Sequence, residues 1–485
     1  MRRLWLATAL LAVSCGTTVH EPTSQVASSG DAGLAPPVVQ QQTVPQTSAA
    51  ATSAAPPESR TASPRTPGTR PTVTTAASSV APAKQHRVAN HDPIQIGFVT
   101  TSVGNAQSLG VNAGSSYSDQ SMFSALVAEY NKHGGLDGHP IVPVYGATDT
   151  ASSNWANQFQ SVCAKFTQDN HVQAVIGYVF VFLPSFERCL ANAHVAHLYG
   201  GYQPGDVVDQ RQYPTLVSTA NPTTDGAWLT VLDGASRSGL LAKGTKIGLL
   251  IDTCADGDRA YSRSVEPWLK AHGLSYQTVI GNCAQGSTDV SSAVTAVGNA
   301  ELRFASSGVK VVLGSGPELL VFMEAAQTQG YQPQYLTAVG GAALEANAPT
   351  SQLKNLHGYG WLPAVDVDPD HQPAARTPQQ KACLAMLVKH GLQAKQYNDF
   401  MTAYAACDGL DLYAKALAAG ASTPIQVAQD VAAVESSFTG ALTYDGKLRA
   451  TSVQHGGPGV YRQYAWTAGC SCLTYQGPTY PIPSP

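Results

Sequence analysis

Three short stretches hold residue types from which chemistry could be built. "GSGPELL", Gly314 to Leu320, sets Gly-Ser-Gly-Pro ahead of an apolar run. Pro317 suits the first turn of a helix, and the free N–H groups at such a start, beside Ser315, attract anionic groups; the plainer reading is a strand-to-helix turn, and a lone G-x-G does not decide between them. "DVDPDH", Asp366 to His371, begins like a calcium loop. His371 stands where that loop needs its glycine and Thr377 where it needs its closing acid, so a solvated acidic loop is expected. His194 and His197 lie three residues apart. The first falls at a helix end, where a cation suits the dipole, and the second belongs to the next strand, so no metal is expected there.

No G-x-S-x-G, H-E-x-x-H or phosphate-loop motif occurs, and no C-x-x-C pair offers a zinc site. The chain does not read as an enzyme, and neither cofactor nor metal is expected. A formal charge of -4, 12% charged residues and no Lys/Arg run leave no footprint for nucleic acid or an acidic membrane surface.

Residues so dispersed need large elements to bring them together. With 485 residues, 43% of them hydrophobic, the chain has apolar surface for two sizeable cores. Order begins at the short strand "IQIGFV", Ile94 to Val99. A helical pattern follows, with Met122, Phe123, Leu126, Val127 and Tyr130 at three-four spacing and Gly134 in place to end it. A tight turn at Leu136-Asp137-Gly138 then leads into the strand "PIVPVYGA". The same helix-to-strand step recurs through "WANQFQSVCAKFTQDN" into "VQAVIG" and "SFERCLANAHV" into "AHLYGG". After "QYPTLVSTANPTTDGAW" it restarts, with the strands "KIGLLI", "SYQTVI", "VKVVLG" and "YLTAVGG" alternating with helices. Two consecutive runs of this kind predict an α/β protein of two doubly wound, Rossmann-like lobes, with ligands beyond the carboxyl ends of the strands, in the cleft between facing loops.

The N-terminus reads Met1-Arg2-Arg3, an apolar run from Leu4 to Val13, then Ser14-Cys15-Gly16, the order of a secretory signal. Ten apolar residues in a helix reach about 15 Å of a roughly 30 Å hydrocarbon core, too little for a transmembrane anchor. Ala12-Val13-Ser14-Cys15 resembles a bacterial lipobox, although Ala12 stands where leucine is usual; lipidation of Cys15 would anchor the mature chain on the outer face of the membrane. Residues 16–92 are rich in Ser, Thr, Pro, Ala and Gln and are expected to be a disordered tether, with a reach of roughly 50 Å. Eight of the nine cysteines remain once Cys15 is set aside, an even number that suits disulfides outside the cell. Eight allow 105 pairings. Short separations favour Cys163 with Cys189, Cys254 with Cys283, Cys383 with Cys407 and Cys470 with Cys472, the last least secure because one residue intervenes.

"NKHGGLDGHPI" resembles the N-x-x-GG-[IL]-x-G-x-x-[IL] step of the leucine/isoleucine/valine-binding type of bacterial solute-binding protein, the class I periplasmic-binding fold. "EAAQTQGYQP", "ACDGLDLYAKALAAG" and "SSFTGALTYDGKL" support the likeness, which spans Ile94 to about Trp466. The resemblance implies a hinge of three crossovers, near Tyr213 to Asn221, Val339 to Ala343 and Thr439 to Asp445. Lobe I would take residues 93–216 plus 342–440, and lobe II 217–341 plus 441–485. It further implies a monomeric, extracellular binding component of an ABC uptake system of the branched-chain amino acid type, which hands its solute to a membrane permease. The same fold serves as the ligand-sensing domain of receptors, so sensing is the alternative.

Relatives that bind amino acids hold the carboxylate with small hydroxyl residues in two lobe I loops and the ammonium with an acid from lobe II. Here those loops read Gly177-Tyr178-Val179-Phe180-Val181-Phe182-Leu183-Pro184-Ser185 and Gly200-Gly201-Tyr202-Gln203, without the small hydroxyls. Thr101, Ser102 and Ser185 are the substitutes within reach. Tyr178 and Tyr202 offer flat faces suited to a less polar solute than leucine, isoleucine or valine; alternatively, Tyr178 to Phe182 extends a strand into the core. From lobe II, Asp256 and Tyr261 are the facing candidates, with Glu345 as a weaker partner for an ammonium.

Overall fold

The turn after the first helix shows how the sheets are wound. In the computed structural model, which describes residues 92–102, 114–177, 179–201, 203–252, 254–371, 376–421, 423–429, 434, 437–449 and 454–485, helix α1 spans Asp119–Lys132. Ser118 caps it by accepting from the Ser121 N–H. The Gly135 N–H closes it on the Tyr130 carbonyl at 2.8 Å. Gly135 has φ +79, and a Cβ there would lie 1.9 Å from the His139 carbonyl oxygen, so only glycine permits so tight a return. Strand β2, Ile141–Asp149, then runs parallel to β1, Ile94–Ser102, with Ile94 beside Ile141.

Repeating this step builds two sheets. The first has the order β2-β1-β3-β4-β5, all parallel, with β3 at Ala174–Gly177, β4 at Ala196–Tyr199 and β5 at Leu216–Ser218. Helices α2, Trp155–Ala164, α3, Pro184–Asn192, and α4, Val207–Gln212, lie between its strands in sequence. The second sheet has the order β12-β11-β10-β9-β8-β6-β7. Its strands β6 (Lys246–Asp252), β7 (Ser275–Gly281), β8 (Val311–Leu313), β9 (Gln334–Thr337) and β10 (Leu356–Gly360) are parallel. The hairpin of β11 (Val460–Thr467) and β12 (Cys472–Pro481) adds antiparallel beside β10. Helices α5 (Thr224–Arg237), α6 (Ala255–Ala260), α7 (Glu266–Ala271), α8 (Ser287–Gly298), α9 (Ala300–Ser306), α10 (Gly316–Thr328) and α11 (Gly341–Asn347) belong to this lobe. Between α6 and α7 the helix widens into a π turn, Tyr261–Val265, just before Pro267, which has no N–H to continue an α-helical ladder.

The boundary expected at residue 342 does not hold. β10 pairs with β9, Leu356 beside Tyr335, so the chain stays in the second lobe until Gly360, and the second crossover follows Trp361 rather than Val339. Glycine hides this strand from a pattern reading. A Cβ on Gly358 would lie 1.8 Å from the Tyr464 ring, so the position must be empty for that buried tyrosine to pack across the sheet. The chain then returns to the first lobe as α12, Pro363–Asp366, α13, Pro378–Val388, and α14, Tyr397–Ala418; α14 packs on β3 and β4, and α13 on α1. Asp366, expected in a solvated loop, is fully buried and accepts from the Tyr475 hydroxyl at 2.7 Å.

All four disulfides favoured by short separation are present, Cys163–Cys189, Cys254–Cys283, Cys383–Cys407 and Cys470–Cys472. Among the described residues no helix is long and apolar enough to cross a membrane. Cys15 lies outside the described residues, as does the expected tether except for Asp92.

Candidate functional site

Three strands of the second sheet, β6, β8 and β9, end at one cavity. It is lined by Ile251 from β6, Leu313, Gly314 and Ser315 after β8, Ala338 after β9, Thr224, Ala227, Trp228 and Val231 from α5, and Asp256 and Gly257 from α6. Gln203 reaches in from the first lobe. The cavity encloses about 70 Å³ and opens outward. Its position follows from the winding, since loops at the carboxyl ends of parallel strands leave a crevice between them.

Among the described residues, Asp256 is the one ionisable side chain in this lining. Thr224 Oγ1 donates to its Oδ2 at 3.0 Å. Burial pushes its carboxyl above the ordinary value, and the nearby Asp206 charge adds to the rise, against the Thr224 bond and backbone N–H groups that favour the ionised form. The Ser315 side chain makes no capping bond at the start of α10, where Pro317 occupies the first turn.

The lobes touch at two places outside the cavity lining. At the first, Arg259 donates to Asp206 at 2.6 Å and to Asp209 at 2.7 Å, and Arg263 to Asp206 at 3.0 Å and to Asp225 at 2.9 Å. The acids at 206 and 209 come from the first lobe, in the capping box of α4, and both are buried. Burial alone would raise the Asp206 carboxyl, but the Arg259 and Arg263 guanidiniums and the Asp209 backbone N–H, all of which donate to it, bring a net lowering. Burial and the Asp206 charge raise Asp209. At the second, the Trp155 N–H donates to the Gln285 carbonyl and the Ser287 N–H to the Ser152 carbonyl, each at 2.8 Å.

Of the residues expected from sequence, Gln203, Asp256 and Ser315 meet in the cavity. The rest of the described ones do not. Thr101 uses its N–H on Asp119 at 2.8 Å, and its hydroxyl lies 3.2 Å from that of Thr148. Ser102 ends β1 exposed, and Ser185 sits in the first turn of α3. Tyr261 falls in the π turn, where its hydroxyl meets Tyr276. Glu345 accepts from the Leu473 N–H at 3.2 Å and lies 3.7 Å from His371, so β12 holds it away from the cavity lining. Cys472 is near both, but its sulfur is in a disulfide and supplies no thiolate for a metal. Tyr178 and Tyr202 lie outside the described residues. Beside Tyr178, the neighbouring stretch packs inward: Val179 is buried, and Phe180 meets Trp155 edge-on at 5.2 Å.

Sequence reasoning missed Thr224, Trp228 and the rim pair Arg259 and Arg263. Four-residue spacing in "DRAYSRS" places the two arginines on one helical face. Their acidic partners, about fifty residues away, carry no such signal. His197, set aside as a metal ligand, is fully buried with Nδ1 2.9 Å from Glu187.

Residues 93–465 match the model of the periplasmic binding protein family. No curated protein matches the chain in sequence. Among solved structures, an ABC-transporter solute-binding protein from R. palustris in complex with 4-hydroxybenzoate is 19% identical, with a TM-score of 0.57, covering 81% of this chain and 98% of that one. A substrate-binding protein from Desulfitobacterium hafniense in complex with Leu is 15% identical, with a TM-score of 0.52 and coverage of 79% and 100%. A fatty acid ABC transporter substrate-binding protein from Thermomonospora curvata is 14% identical, with a TM-score of 0.54 and coverage of 82% and 97%. Identities this low show a shared fold.

Proposed function

Because the chain belongs to the periplasmic binding protein family, we propose that it is the extracytoplasmic capture component of an ABC importer, taking a small solute between its lobes and passing it to a membrane permease. It is a binding protein and not an enzyme. One observation carries the proposal: a cavity at the strand ends of one lobe is lined in part by Gln203 of the other, and hydrogen bonds join the two lobes at two further places. A hinged clamp needs that arrangement to shut around cargo. Lipidation at Cys15 and a tether over residues 16–92 would keep a monomeric protein near its permease.

Relatives of this fold carry 4-hydroxybenzoate or leucine, and one serves a fatty acid transporter, so fold does not choose the cargo. The branched-chain amino acid type is the family's suggestion, against which stand the loops that lack small hydroxyls and the commitment of Thr101 to Thr148 and Asp119.

A thermal-shift screen of small solutes, followed by small-angle scattering of each hit, tests the proposal. A true cargo raises the melting temperature in proportion to ln(1 + [L]/Kd) and shrinks the radius of gyration. A verified binder that leaves the radius unchanged would overturn the clamp.

A further inference from the structure

Resting on that reading of the cleft, we infer that the cargo presents a hydrogen-bond-donating head group, foremost an amine, to Asp256 while its apolar body lies against Trp228, Val231, Ile251 and Leu313, and that carboxylates are refused. The charges around the cavity carry this. Among the described residues, its lining holds Asp256 and no cation. The two nearby guanidiniums are committed to carboxylates, Arg259 to Asp206 and Asp209, Arg263 to Asp206 and Asp225. Four acids thus stand against two arginines.

Magnitudes decide between the two signs of ligand. The start of α10 beside Ser315 favours an anion, but the pull of a helix N-terminus is weak and falls off within the first turn. A carboxylate about 4 Å from an ionised Asp256 would meet a like-charge repulsion that outweighs this pull at an intermediate dielectric. An ammonium at the same place gains a comparable attraction, and ionisation of Asp256, whose carboxyl burial disfavours, becomes easier beside it. Thr224 already donates to Oδ2 and so aims the carboxylate. A zwitterion is served at one end and opposed at the other.

A matched set of probes with similar branched apolar bodies isolates the head group: isopentylamine, isopentanol, 4-methylpentanoate and leucine, titrated calorimetrically into the full-length protein. Isopentylamine should bind at least about tenfold more tightly than 4-methylpentanoate or leucine. Asp256→Asn should weaken the amine by about tenfold or more and move isopentanol by less than about threefold. Trp228→Ala should weaken the amine and the alcohol alike, which ties both to this cavity even if one variant folds poorly. Tighter binding of 4-methylpentanoate or leucine, failure of all four to bind, or an amine affinity untouched by Asp256→Asn overturns the head-group assignment. Scattering separates this from the capture reading: leucine binding with compaction would sink the assignment and keep the clamp, and Asp256-dependent amine binding without compaction would do the reverse.

Discussion

The indole Nε1 of Trp361 donates to Oδ1 of Asn221 at 2.7 Å, joining the second crossover of the hinge to the first. Both residues are fully buried. The Asn221 amide also donates to the Gly201 carbonyl, and Gln454, beyond the third crossover expected near Thr439 to Asp445, donates to the Asn221 carbonyl at 3.1 Å. One asparagine therefore sets the register of three chain segments that share no sequence neighbourhood.

Trp361→Phe should destabilise the protein by about 1–3 kcal/mol, because it leaves a buried amide oxygen without its donor and opens space beside it. Urea unfolding measures this. A variant as stable as the wild type would show that the indole bond contributes nothing to the hinge.

Across the cleft rim, Asp206→Ala and Arg259→Ala should each loosen the contact between lobes. The arginine is partly exposed, so the coupling between the two sites should be modest, about 1 kcal/mol, and should shrink in high salt. A double-mutant cycle in denaturant, at low and high ionic strength, yields the coupling. Strict additivity of the two changes would remove the pair from the account of closure.

Burial raises the carboxyl of Asp366 to about 8 and that of Asp408 to about 7, above any unfolded value. In each case the folded protein binds the proton more tightly than the unfolded chain. Their contribution is complete below the unfolded carboxylate value and is lost as pH rises through about 7 and 8. Asp366→Asn keeps an oxygen for the Tyr475 hydroxyl and cannot ionise. Relative to wild type it should gain about 1 kcal/mol or more between pH 5 and pH 8. Melting curves at these two values check it, and a constant difference would contradict the assignment.

Cys15→Ser should release the protein into the medium, because it removes the thiol on which the proposed lipid anchor would be built. Fractionation of cells expressing each form reads the outcome; retention of the variant with membranes would exclude Cys15 as the anchor.

Local chemistry made much of this molecule legible. The glycines at 134, 135 and 138 announced a helix stop and a tight return, and short cysteine separations announced all four bridges. Asp256 and Ser315 were reachable because they follow strand ends, which winding sends to one crevice. What escaped depends on distant partners. Nothing near Arg259 names Asp206, and nothing in "LHGYGW" marks a strand until Tyr464 is seen to need the space over Gly358. Tyr261 and Glu345 have suitable types for a binding site, but a π turn directs the first to Tyr276 and β12 engages the second.

The bridge between Cys254 and Cys283 joins the root of α6, which carries Arg259, to the segment leading to Gln285 and Ser287. The two interlobe contacts thus share one covalent frame in the second lobe. Under the proposed clamp, the second lobe would carry both contacts as one body, and releasing either would strain the other through this bridge.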